Sequence, residues 1–124
     1  MTAGQPADAS RLRVLNVLRA EAEDIRSTPY GQVGIIHSGS GIELVWVSKQ
    51  AEAIDEGWFS SGQVDVLLVV QGQLKVEFEN PELPDRVLGP GEVLVLPPGL
   101  RCRAYQWPRD APEATVFVAA YPAS

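Results

Sequence analysis

Gly-Pro-Gly-Glu-Val-Leu-Val-Leu-Pro-Pro-Gly-Leu-Arg-Cys-Arg-Ala-Tyr-Gln, residues 89–106, is the stretch that decides the fold. Gly91 turns the chain into a strand, five residues cross one wall, and Pro97-Pro98-Gly99 turns it back into a second strand starting at Cys102. Proline presets one turn angle and glycine takes the left-handed one, so this order of residues makes a tight reversal. Working outward, the segments 33–37, 42–48, 64–70, 74–79 and 115–120 are likewise short and rich in Val, Ile, Leu and aromatics. Ser38-Gly39-Ser40-Gly41, Ser60-Ser61-Gly62, Gln71-Gly72, Asn80-Pro81 and the proline-bounded stretch 108–112 punctuate them. The gaps are too short to hold the helices of a parallel α/β fold. Seven or eight short strands at this spacing predict an all-β sandwich or barrel.

Two strands carry more detail. In 74–79, Leu74, Val76 and Phe78 alternate with Lys75, Glu77 and Glu79, the pattern of a half-exposed strand. Segment 64–70 is apolar on both faces except for Asp65. Such a strand needs cover on both sides, from the core and from a second subunit or a terminal segment, so a homodimer is expected. The N-terminal part is less decided. Residues 1–10 read as a disordered tail, and 11–124 as one domain. In 11–25, Leu12, Val14, Leu15, Val17 and Leu18 suit a strand or a helix, and 20–24 is rich in helix formers. The reading is a short strand followed by one or two helical turns, ended before Pro29.

The chain has 124 residues, 45% of them hydrophobic, enough for one core. Its formal net charge is −6, with 10 basic against 16 acidic residues. An acidic chain repels a phosphate backbone, so no nucleic-acid partner is expected. No apolar run approaches the roughly 20 residues that span a bilayer, so no membrane association is expected. The start of the chain has neither a basic stretch nor an apolar one, and Cys102 stands without a disulfide partner. Both point to a cytoplasmic location.

Segment 89–106 resembles the second sequence motif of the cupins, G-x-x-x-x-x-P-x-G-x-x-H-x-x-x-N. Gly91, Pro97 and Gly99 fall in register, Cys102 stands at the histidine and Gln106 at the asparagine. Asp65 and Gly72, six residues between them, match the end of the first motif. Its two histidines then fall on Phe59 and Ser61, or in a one-residue-longer spacing on Trp58 and Ser60, and its opening glycine on Ala53. The resemblance covers about residues 42–120 and implies a double-stranded β-helix, or jelly-roll barrel. The runner-up is another small β-sandwich in which these glycines and prolines only punctuate turns.

Cupin metal sites use three imidazoles and a carboxylate. The matching positions here are Phe59, Ser61, Asp65 and Cys102. A ring cannot ligate, a neutral hydroxyl ligates poorly, and an aspartate with one thiolate is too small a set for a tight site. His37, the only histidine, adds one ligand at most. No metal and no other cofactor is expected. The resemblance points Phe59, Ser61, Asp65 and Cys102 into the barrel mouth. Period-two alternation adds Leu67 and Gln106; Trp46, Trp58 and Gln63 complete the expected lining. Asp65 is the candidate general acid or base, its alternative being a buried carboxylate held by local donors. Cys102 reads as a buried inert thiol, since no histidine or lysine lies nearby in sequence to activate it.

Three functions compete. The first is a metal-independent module that binds a small, largely apolar molecule, as a sensor or accessory protein. The second is a metal-free isomerase, cyclase or lyase using Asp65. The third is a structural or interaction protein whose barrel is plugged by Trp58 and Phe59.

Overall fold

The computed structural model describes residues 9–123. Nine strands follow in order: β1 Glu23–Thr28, β2 Gly31–Gly39, β3 Ile42–Lys49, β4 Asp65–Gln71, β5 Gln73–Phe78, β6 Arg86–Leu88, β7 Val93–Leu96, β8 Cys102–Trp107 and β9 Thr115–Pro122. They form a six-stranded sheet, ordered β1-β2-β3-β9-β4-β7, and a three-stranded sheet, β6-β5-β8. All pairings are antiparallel. The expected all-β class is the observed one.

The alternation read from the sequence sets the packing. Leu74 and Val76 are 0% and 1% exposed and turn inward from β5. On the outer face of the same strand, Lys75 lies 4.1 Å from the Trp107 ring, and Glu77 pairs with Arg103 at 2.7 Å. Leu67 and Val69 of β4 and Phe117 and Ala119 of β9 close the core from the opposite sheet. The chain crosses between the sheets at Gly72, a left-handed residue (φ +71°) between Gln71 and Gln73.

The N-terminal part corrects the sequence reading. Short 3-10 turns span Ala9–Arg11 and Val17–Arg19, and the strand follows them at β1, the reverse of the expected order. Asn16 caps the second turn by accepting from the Leu18 N–H at 3.0 Å, a local signal that outweighs the helix formers after it. The tail expected over residues 1–10 lies, for its first eight, outside the described residues. No helix among the described residues is long and apolar enough to cross a membrane.

Candidate functional site

The two sheets enclose a cavity of about 740 Å³, open on one side. Its apolar lining comes from Val45 on β3, Leu67 on β4, Leu96 on β7, and Phe117 and Ala119 on β9. Phe59, Ser60, Ser61, Asp65 and Cys102 bring in the two motif regions. Backbone pairing joins these regions. Phe59 and Cys102 exchange two N–H···O bonds, both 2.8 Å, and the Gly99 N–H donates to the Ser61 carbonyl at 2.7 Å. The Pro97-Pro98-Gly99 turn is thus stitched to the loop before β4.

Asp65 is 7% exposed, and its Oδ1 has no hydrogen-bond partner among the described residues. Burial pushes its carboxyl above the ordinary aspartate value. Burial likewise pushes the Cys102 thiol up, and the charge of Asp65 adds to that effect. The pair is therefore a carboxyl inclined to hold its proton and a thiol disinclined to lose one.

Four expected lining residues lie elsewhere. Trp46 is 4% exposed and faces away from the cavity, its Nε1 donating to the Val17 carbonyl at 2.8 Å. At its centre β3 is apolar on both faces, Leu44 and Trp46 on one and Val45 and Val47 on the other, so alternation could not say which was inner. The N-terminal turn covers the Trp46 face and supplies the acceptor that a buried indole needs. Trp58 packs outside β8, its ring 4.4 Å from the Arg103 guanidinium. The Phe59–Cys102 bridge turns Phe59 toward the cavity, so its neighbour turns out. Gln63 only continues the turn in which its N–H donates to Ser61 Oγ, 3.1 Å. Gln106 is fully buried in a closed network. Its Oε1 accepts from the Ala51 N–H at 2.8 Å, and its Nε2 donates to the carbonyls of Ala111 and Glu113 at 3.2 and 3.0 Å. With Trp58 outside and Phe59 55% exposed, the two rings leave the cavity unfilled.

The structure adds residues the sequence reading missed: Tyr30, Lys49 and Tyr121 also line the cavity. Lys49 shares the inward parity of Val45 and Val47, a signal present in the sequence once the inner face of β3 is known.

The donor set does not fit a cupin-type cation. Phe59 and Ser61 stand at two ligand positions, and no group of three or more His, Cys, Asp or Glu among the described residues is placed to hold an ion. His37 is not part of the lining, and its Nε2 is 3.0 Å from the Gly39 carbonyl.

Two facing antiparallel sheets around an open cup define a double-stranded β-helix, the fold of the cupins. Solved structures agree. The cupin 2 conserved barrel domain protein from Salinispora arenicola CNS-205 is 16% identical with a TM-score of 0.66, over 92% of this chain and 89% of that one. An RmlC-like cupin from Shewanella frigidimarina NCIMB 400 is 14% identical, TM-score 0.66, over 85% and 86%. KdgF from Halomonas sp. is 24% identical, TM-score 0.64, over 82% and 90%. No protein-family model matches the chain, and no curated protein matches it.

Proposed function

We propose that this cupin-fold protein binds a small, largely apolar molecule in the cup without a metal. The carrying observation is Asp65: a buried carboxyl with an unpartnered oxygen, set in a cavity of about 740 Å³. A buried polar atom without a partner costs about 1–3 kcal/mol, which a ligand donor would offset. The volume lies within the range typical of small-molecule sites. A neutral fluorophore, N-phenyl-1-naphthylamine, tests the reading. One saturable site is expected in the wild type, and Ala119→Phe, which adds a ring to the lining, is expected to weaken it at least tenfold. Absence of saturable binding in the wild type would sink the proposal. Elemental analysis of protein purified without added metal is expected to find well under one transition metal per chain; near-stoichiometric iron, zinc, manganese or nickel would overturn the metal-free part.

The raised carboxyl of Asp65 favours a second reading, a metal-free isomerase, cyclase or lyase with Asp65 as proton carrier. Asp65→Asn separates the two, because an enzyme keeps ligand affinity and loses turnover. The same variant has a stability signature. A carboxyl raised in the folded state contributes stability that is fully present below its unfolded pKa and is lost as pH rises through the folded one. Asp65→Asn is therefore expected to be more stable than the wild type at pH 7, the gap closing on acidification into the ordinary carboxylate range. Urea midpoints at both pH values check this, and a pH-independent gap would refute it.

We also infer a homodimer formed through the outer face of β4 and β7. Leu68, Val93 and Val95 are 37%, 53% and 59% exposed there, and β7 is an edge of its sheet. The face carries no charge on a chain of net charge −6, so two copies meet there with least repulsion. Val95→Glu is expected to convert a dimer to a monomer in light scattering; a monomeric wild type would refute the inference.

A further inference from the structure

Two basic residues border the cavity, Lys49 and Arg103. The Arg103 guanidinium lies on the outer face, committed to Glu77 at 2.7 Å and stacked on the Trp58 ring. Lys49 enters no ion pair among the described residues; its Nζ donates to the Tyr30 carbonyl at 2.7 Å. An ammonium has three N–H groups, so this bond leaves donors for the cavity. Burial pushes the amine below the usual lysine value; Glu52 and Asp55 pull it up and Arg109 pushes it down. A half-buried cation without a paired carboxylate, at the edge of an apolar cavity, is a position that an anion would stabilise.

The register gives the site its length. Lys49 pairs with Thr115, and Leu67 pairs with Ala119, which sets Asp65 level with Tyr121. The span from Thr115 to Tyr121 is about 20 Å at the ordinary strand rise. Val45, Phe117 and Ala119 supply apolar wall between the two polar ends. The unpartnered Oδ1 of Asp65 marks the far end.

We propose that Lys49 is the anion anchor of the cup, and that the ligand is an elongated monocarboxylate, its carboxylate on the Lys49 ammonium and its apolar body lying along Val45, Phe117 and Ala119 toward Asp65. This rests on the reading of the cup as a small-molecule site and names the ligand's class. Binding puts a carboxylate in direct contact with the Lys49 ammonium, adding to the pull of Glu52 and of Asp55, which also lines the cavity but forms no ion pair with it. The amine then holds its proton more tightly, so an acid, unlike a neutral molecule, raises the titration midpoint of Lys49.

The chain has two lysines, Lys49 and Lys75, so protein carrying ¹³Cε-labelled lysine gives two well-assigned signals. The probes are octanoate and octan-1-ol, matched in length and differing in charge. Octanoate is expected to displace N-phenyl-1-naphthylamine about tenfold more effectively than octanol at pH 7. It is expected to raise the midpoint of the Lys49 signal while octanol does not, and Lys75, beside Asp85 at 3.9 Å, is expected to stay unchanged under both. Lys49→Met is expected to erase the preference and Lys49→Arg to keep it. Equal displacement by the two probes, a preference that survives Lys49→Met, or movement of Lys75 instead of Lys49 would each overturn the proposal. So would failure of octanoate to displace a fluorophore that itself binds. Failure of the fluorophore to bind the wild type is the separate outcome that removes the small-molecule reading. The titration uses the wild type alone, so the test survives a variant that does not fold.

Discussion

Gln106→Leu is expected to destabilise the protein by about 3 kcal/mol, the upper end for removing one partner from a buried polar network. The side chain is 0% exposed, and three backbone groups depend on it: the Ala51 N–H and the carbonyls of Ala111 and Glu113. Leucine fills similar volume and satisfies none of them. Glu52 accepts from the backbone N–H of residue 106 at 3.1 Å and pairs with Arg109 at 3.2 Å, contacts that leucine leaves in place, so the loss is confined to the three groups the amide served. Gln106→Glu keeps the shape and one acceptor but sets a buried carboxyl against the Ala111 and Glu113 carbonyl oxygens, so at pH 7 it is expected to destabilise at least as much as leucine. Urea unfolding of the three proteins checks the order. A leucine variant within 0.5 kcal/mol of the wild type, roughly the scatter of surface substitutions, would show that the network adds nothing to stability.

Gly72→Val is expected to cost about 3 kcal/mol, for a different reason. Gly72 has φ +71°, where a β-branched residue is strained, and a Cβ there would stand 3.0 Å from Thr115 Oγ1 and 3.1 Å from the Ala114 carbonyl oxygen. Thr115 cannot readily give way. It is 1% exposed, and its Oγ1 donates to the Gln73 carbonyl at 2.6 Å, across the same corner. The chain passes from one sheet to the other here, so strain at this point works against both. The cavity lining does not include Gly72, so the folded fraction is expected to bind naphthylamine as the wild type does. Thermal melts followed by binding below the transition check both halves; an unshifted melt would show that the corner relaxes.

Gly72 also shows what a sequence can reveal. Gly72, Gly91 and Gly99 all carry positive φ, and all three were placed by motif spacing, because a turn of fixed hand demands a fixed residue. Phe59, Ser61, Asp65 and Cys102 were assigned to one hollow by the same register, and the structure brings them to one cavity. Other elements carry no such signal, for physical reasons. β6 is three residues long, too short for any period to register. β1 reads Glu-Asp-Ile-Arg-Ser-Thr, with no buried face to impose alternation. Trp46 and Lys49 depended on which side of a strand apolar on both faces at its centre, residues 44–47, turned in, and the N-terminal turn decided that through a hydrogen bond 29 residues away in sequence. Gln106 found its partners at positions 51, 111 and 113, a convergence that no local pattern announces.

β1 is exposed at all six residues and pairs with β2 alone. A ribbon wet on both faces opens at a free energy well below that of the whole domain, so its amides exchange early while those of β4 and β9 wait for global unfolding. Tyr30 sits in the turn that ends this ribbon, and its carbonyl holds the Lys49 amine. The rim of the cup is thus fastened to this ribbon, and whatever opens the ribbon loosens that side of the mouth with it.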